Sequence, residues 1–288
     1  MVFDHSEYIK ALLKTVDVGV IKRRHYRILF DPVNGSAIDV GKQLFSRLGQ
    51  LVMINDQLGQ RPTRASEPRR ETLVETARQV VNNHCDLGIA IDVDADRVLF
   101  IDETGVVLSE DLTAVVLAQG QKTLVAPLNS SGLFKAEARK WGGKVIDCPV
   151  GPPEIIAAIK KHRADFAYEE SGKYFFANQF LWADGLLAGV KMLAALARRG
   201  QALSQVRAEY PVYYQVKLAL ACPWEKMPRK FKHDGVKFEF PDNSWLFIRA
   251  SGTEPVIRIF SDSPRRTRAE ELAKKGKQMV NETLASMV

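Results

Sequence analysis

Asp92, Asp94 and Asp96 alternate with Val93 and Ala95, which puts three carboxylates into one short loop directly after an apolar run. Like charges this close raise one another's pKa unless a cation neutralises them. An all-oxygen donor set suits a hard divalent ion. Magnesium is the natural candidate, because it keeps coordination positions for water or a phosphate oxygen. Arg97 follows at once and offers a planar fork to the same phosphate. Taken alone, these residues also describe a solvated acidic turn. A second group, Glu169, Glu170, Ser171, Gly172 and Lys173, ends another apolar run. A carboxylate and a hydroxyl there can accept from and donate to sugar hydroxyls, since ligands gather at the carboxyl ends of α/β strands. The plain alternative is a polar turn. The third group is Arg249, Ser251, Gly252, Thr253, Glu254 and Pro255, with Arg258 beyond it. Two guanidinium groups, two hydroxyls and backbone N–H groups opened by glycine compose a phosphate cradle. A hairpin without a ligand is the competing reading.

The elements that must carry these groups follow from periodicity. Arg27–Phe30 reads as a strand entering the Asp31–Gly35 turn, and a helix opens at Ser66 and Pro68 with apolar positions Leu73, Val74, Ala77, Val80 and Val81. Leu87–Ile91 reads as a buried strand, the acidic loop interrupts it, and Val98–Ile101 resumes. The same alternation returns: strand Thr123–Ala126, helix Leu133–Trp141, strand Lys144–Cys148, helix Glu154–His162, strand Asp165–Tyr168 and an apolar helix Asp184–Arg198. Gly200–Ser204 reads as a linker. Short strands at Val212–Leu220, Val236–Phe240, Trp245–Arg249 and Val256–Phe260 precede a closing helix over Thr267–Leu284. The predicted fold class is α/β, with two consecutive layered α/β domains, residues 1–109 and 110–204, followed by a smaller α+β domain over 205–288.

Composition excludes several classes. Hydrophobic residues at 46% and charged residues at 26% of 288 describe globular chains rather than disorder. Apolar stretches such as Leu186–Leu196 are interrupted by Gly189 and Lys191, so no membrane span is expected. Asp4, His5, Ser6 and Glu7 stand where a secretory leader would have its basic and apolar regions, which predicts a cytoplasmic protein. Cys85, Cys148 and Cys222 are distant and odd in number, so neither disulfides nor a zinc site is expected. The net charge of +7 favours polyanions in general. Arg61, Arg64, Arg69 and Arg70 form a basic run without interleaved aromatics, which predicts a solvated loop and no nucleic-acid partner.

In this order, the three groups resemble the α-D-phosphohexomutases, the phosphomannomutase/phosphoglucomutase family, over nearly the whole chain. IDVDADRVLFIDETG is similar to that family's magnesium loop, FAYEESGKYFF to its sugar-binding loop and FIRASGTEPVIRIF to its phosphate-binding loop. DPVNGSA from Asp31, Pro149–Gly151 and ADGLLAGVKML from Ala183 add to the match. The resemblance implies transfer of a phosphoryl group between a phosphoserine and the 1- or 6-position of a hexose phosphate, through a bisphosphate intermediate. It implies that Asp92, Asp94 and Asp96 hold Mg²⁺, that Arg97 acts on the transferred phosphate, and that Glu169, Ser171 and Lys173 meet the sugar. Arg249, Ser251, Gly252, Thr253 and Arg258 then grip the other phosphate. Family members also carry an α/β domain with a Thr-Ala-Ser-His-Asn-Pro type loop bearing the serine, and no such loop occurs in these 288 residues. Ser6, preceded by His5, is not taken as its substitute. The chain alone is therefore expected to be inactive, needing a separate serine-bearing chain or associating with itself. Val93 stands where the family has glycine, Lys173 where it has histidine, and Pro152 where it commonly has a polar residue, which leaves glucose, mannose and glucosamine equally open. Two further readings are a non-catalytic phosphosugar-binding or regulatory protein, and a haloacid-dehalogenase-type phosphatase with Asp92 as nucleophile. The second of these is disfavoured by Asp96 and by the lack of that type's other motifs.

Overall fold

The computed structural model describes residues 4–232 and 234–287. The α/β expectation holds, and the first two sheets share one plan. In the first, β1 (Arg27–Asp31) lies between β2 (Gln50–Met53) and β3 (Leu87–Ile91), parallel to both, and β4 (Val98–Asp102) returns antiparallel on β3. In the second, β5 (Thr123–Pro127) lies parallel between β6 (Lys144–Cys148) and β7 (Phe166–Glu169), and β8 (Lys173–Phe176) returns antiparallel on β7. The orders are β2-β1-β3-β4 and β6-β5-β7-β8, so the hairpin β3–β4 corresponds to the hairpin β7–β8. The third sheet is antiparallel, in the order β10 (Val236–Glu239), β11 (Trp245–Ala250), β12 (Val256–Ser263), β9 (Tyr214–Ala221).

Helices cover these sheets. Those of the first layer are α1 (Ser6–Leu13), α2 (Val18–Lys22), α3 (Ile38–Phe45) and α4 (Val74–Asn82). They are followed by α5 (Glu110–Ala118), α6 (Gly132–Lys140), α7 (Pro152–His162), α8 (Gly185–Arg199) and α9 (Leu203–Ala208), and α10 (Arg266–Ala285) lies on the third sheet. A single apolar cluster, with Phe30, Phe45, Phe100, Phe134, Tyr168 and Leu193 among its members, runs from the first sheet through α5 and α8 to the second. The core is therefore continuous where the sequence suggested a boundary near residue 109.

Several expectations are corrected. The helix expected from Ser66 begins at Val74. Residues 66–73 are not helical, and there the Thr72 hydroxyl donates to the Glu67 and Arg69 carbonyls. The expected linker Gly200–Ser204 runs into α9, with Gly200 closing α8 at φ +71°. Arg64 of the supposedly solvated basic run is buried and ion-paired with Asp31 at 2.7 Å. The sequence reading assigns none of α1, α2, α3, β2, α5, β8 and α9. Cys85, Cys148 and Cys222 are free and buried, as expected. No helix among the described residues is long and apolar enough to cross a membrane.

Candidate active site at paired hairpin turns

All three candidate groups sit in hairpin connections. β3 is buried along its whole length, and its carboxyl end delivers Asp92. The turn closes when Asp92 donates its N–H to the Arg97 carbonyl (3.3 Å) and Arg97 donates its own to Asp92 Oδ1 (3.1 Å), with Ala95 at φ +64°. Donor oxygens of Asp92, Asp94 and Asp96 lie within 4.8 Å of one another. Burial, then the charges of Asp94 and Asp96, push the Asp92 carboxyl up to about 6 against the opposing Arg97 N–H. A divalent cation would relieve that repulsion, and three carboxylates are the donor chemistry Mg²⁺ takes, so the residues fit the ion.

The loop is held from outside. Ser36 donates its N–H (3.0 Å) and its hydroxyl (2.9 Å) to the Val93 carbonyl. A Cβ on Gly35 would lie 2.6 Å from that same oxygen, which is why the turn after β1 needs glycine there. Arg64 spans beneath, donating to Asp31 Oδ2, to the Asp31 carbonyl and to the Ile91 carbonyl at 2.6 Å. The N-terminus of α8 closes the other side, with Gly185 N–H on the Ala95 carbonyl at 2.9 Å.

Two cations stand over the carboxylates. Arg97 pairs with Glu67, and its Nε lies 3.6 Å from Asp92 and 3.8 Å from Asp96, buried without a hydrogen-bond partner. Lys173 Nζ lies 2.5 Å from Asp96 Oδ2 and 5.8 Å from the Trp182 ring centroid. The second hairpin is thereby joined to the first, and Val98 adds a backbone bond by donating to the Gly172 carbonyl at 2.9 Å. In that second turn Ser171 donates to Glu169 Oε2 at 2.8 Å. Glu170, its neighbour, turns inward instead. It accepts from Asn129 Nδ2 (2.8 Å) and pairs with Lys217 of β9 at 3.2 Å. Burial raises its carboxyl, while the Lys217 ammonium opposes that shift.

The third turn lies apart. Arg249 and Arg258 face each other across β11 and β12. Burial, then the Arg258 charge, lowers the Arg249 pKa. Ser251 Oγ accepts from the Thr253 and Glu254 N–H groups at 3.4 and 3.3 Å, and Gly252 is open to solvent. Arg258 pairs with Glu254 at 2.6 Å. Among the described residues no hydrogen bond or ion pair links this turn to the acidic loop. The structure thus assembles Asp92, Asp94, Asp96, Arg97, Glu169, Ser171 and Lys173, and keeps Arg249, Ser251, Gly252, Thr253 and Arg258 as a separate cradle. Sequence reasoning gives no site role to Arg64, Glu67, Asn129, Lys217 and Trp182, which carry no local signal, whereas Gly35 and Ser36 lie within the matched DPVNGSA segment.

Two like α/β layers with an acidic and a polar hairpin turned together, beside an antiparallel sheet with a paired-arginine turn, define a phosphohexomutase-type scaffold. The comparisons agree. Residues 6–105 match α/β/α domain II of the phosphoglucomutase/phosphomannomutase family, residues 101–213 match its α/β/α domain III, and residues 190–276 match its C-terminal domain. A phosphoglucomutase/phosphomannomutase of Thermococcus kodakarensis is 32% identical over 96% of this chain and 65% of its own length. A probable phosphoglucosamine mutase of Pyrococcus abyssi is 28% identical over 97% of this chain and 66% of its own. Among solved structures, a phosphoglucomutase/phosphomannomutase family protein of Burkholderia thailandensis superimposes with TM-score 0.82 at 20% identity, over 98% of this chain and 65% of that one. The chain belongs to the α-D-phosphohexomutase family, and it spans about two thirds of the length of these relatives.

Proposed function

We propose that this chain holds Mg²⁺ in the Asp92–Asp94–Asp96 loop, binds a hexose phosphate or bisphosphate, and serves phosphoryl transfer between the 1- and 6-positions. The observation that carries this reading is the joining of the two hairpins, with Arg97 and Lys173 standing over the three carboxylates. Bound magnesium supplies charge stabilisation for the transferring phosphoryl group. Arg97, with its buried Nε unpartnered, donates to an oxygen of that group. The Glu169 carboxylate accepts from sugar hydroxyls and the Ser171 hydroxyl orients them. Lys173 contributes a fixed positive charge and, as an ammonium, does not shuttle protons as a histidine would. Arg249, Ser251, Gly252, Thr253 and Arg258 grip the phosphate that is not transferred. The phosphoserine is proposed to come from a serine-bearing domain, because no loop of that type occurs in these residues. Three free cysteines fit a reducing compartment, which supports a cytoplasmic setting. The sugar is left as glucose, mannose or glucosamine, the relatives' names being divided in the same way.

A second reading, phosphosugar binding without turnover, is favoured by one contact. The Lys173 ammonium already lies 2.5 Å from Asp96, where a fixed cation competes with a metal for the third carboxylate. Interconversion of glucose or mannose 1- and 6-phosphates decides between the two, run with Mg²⁺ and bisphosphate activator, with and without a separately expressed serine-bearing domain. Turnover only with the added domain supports the mutase reading. Absence of turnover in both, with sugar phosphate still bound, selects the binding protein, and turnover by this chain alone contradicts the need for an added serine.

A further inference from the structure

A polar cavity lies at the edge of the β5–β8 sheet away from the paired hairpins. Its walls include Asp165, just before β7, and Phe176 at the end of β8, whereas the Glu169–Lys173 turn joins the opposite ends of those two strands. α8 connects the two places. Gly185, its first residue, touches the acidic loop, while Arg198 and Arg199, its last, line the cavity. Fifteen residues of helix make that separation roughly 22 Å.

The cavity measures about 540 Å³, within the range of small-ligand sites and large enough for a sugar-sized molecule. Its charges do not balance. Lys191 Nζ donates once, to the Thr15 carbonyl at 2.9 Å, and pairs with no carboxylate among the described residues. The ammonium also lies 5.9 Å from the Phe176 ring centroid, so an aromatic face and one carbonyl are its partners and no protein anion meets its charge. The Arg198 side chain makes no hydrogen bond or ion pair among the described residues, and the residue is exposed. Burial, then the nearby Arg198 charge, lowers the Lys191 pKa, as expected for two cations crowded together without an anion. Arg199 is fixed as a wall by Glu209 (2.7 Å), Gln119 (2.7 Å) and Tyr210 (2.8 Å). The one carboxylate in the lining, Asp165, has its Oδ2 committed to the Lys122 and Thr123 N–H groups. Asn178 and Gln179 add amide side chains to the rim. The C-terminal dipole of α8 opposes an anion with about half a charge, less than the two unpaired cations supply.

We propose that this cavity is a second anion site that takes a small phosphate monoester, with Lys191 and Arg198 meeting the phosphate and the amide-lined remainder holding its organic part. The assignment is independent of the mutase reading, because none of its residues belongs to the three hairpin turns.

The test is calorimetric titration of glycerol 3-phosphate and of inorganic phosphate, with chelator present, into the R249Q/R258Q chain, whose other cradle is disabled. Arg198→Glu and Lys191→Met are then each added to that background. Arg198 is exposed, so its variant keeps the fold, and thermal unfolding checks both. We expect saturable binding of one monoester per chain, tighter than inorganic phosphate, and weakened roughly tenfold or more by either substitution. Absence of saturable binding in the R249Q/R258Q chain, or binding undiminished by Arg198→Glu, overturns the site. Equal affinity for the two probes overturns its assignment to a monoester.

Discussion

Lys173 is a residue at which the resemblance implies a departure from the family, with an ammonium in place of an imidazole. Its ammonium neutralises Asp96, so incoming Mg²⁺ must displace it or bind a loop of reduced charge. Removing that cation while keeping the stem, as Lys173→Met does, is expected to tighten Mg²⁺ binding roughly tenfold, measured by calorimetry. Unchanged affinity would show that Asp96 takes no part. Conversely, Asp92→Asn and Asp94→Asn should each weaken Mg²⁺ by more than the roughly 10–100-fold that follows loss of an outer-shell partner. Both effects come from the same charge count, because Arg97 alone cannot balance three carboxylates.

At the scale of elements, the acidic turn is only as well placed as the strands beneath it. Arg64 ties β1 to β3 by bonding Asp31 and the Ile91 carbonyl, and Asp31 also accepts from Thr76 on α4 at 2.7 Å. Arg64→Met leaves a buried carboxylate without its cation and should cost about 3–5 kcal/mol in chemical denaturation. A loss below ~1 kcal/mol would mean that this pair is dispensable. This arrangement also explains which parts of the fold were legible in the sequence. Strands β3, β4 and β5 are readable because each is a short, largely buried apolar run bounded by turn residues. α5 was not, because Asp111 through Ala118 is buried on every side, and a helix enclosed all round shows no polar stripe. Leu73, Ala77 and Val80 gave the α4 period, but Val74 and Val81 are exposed, so the apolar spacing ran beyond the face that packs. Among site residues, the three turns could be read locally. Arg64 looked like part of a basic run because its partner Asp31 is 33 positions away, and Glu170 looked like a sugar ligand's neighbour because Lys217 is 47 away.

The third sheet is tied to the second α/β layer by buried polar groups that no short stretch of sequence displays. Asp262 of β12 accepts from the Gly132 N–H at 2.9 Å, while its Oδ2 is buried without a partner. Burial, then the charge of Asp111, pushes its carboxyl up to about 7, and burial does the same to Glu110. Unfolded carboxyls ionise near 4. The folded chain therefore holds extra protons between about 4 and about 7, and stability present below that window is lost as pH rises through it, by ~1.4 kcal/mol per pH unit for each such group. Asp262→Asn should flatten the fall in unfolding temperature from pH 5 to pH 8, and an unaltered slope would exclude Asp262 as its source. No bond joins the Arg249–Arg258 turn to the acidic loop among the described residues, and the proposed function has a ligand with two phosphates bridge them. Calorimetric titration of glucose 1,6-bisphosphate is the most direct test, carried out with and without Mg²⁺ on the wild-type chain, on Asp94→Asn and on R249Q/R258Q. The account predicts saturable binding that needs Mg²⁺ and Asp94 for one end and the arginine pair for the other. Binding indifferent to Mg²⁺ and to both sets of substitutions would contradict it.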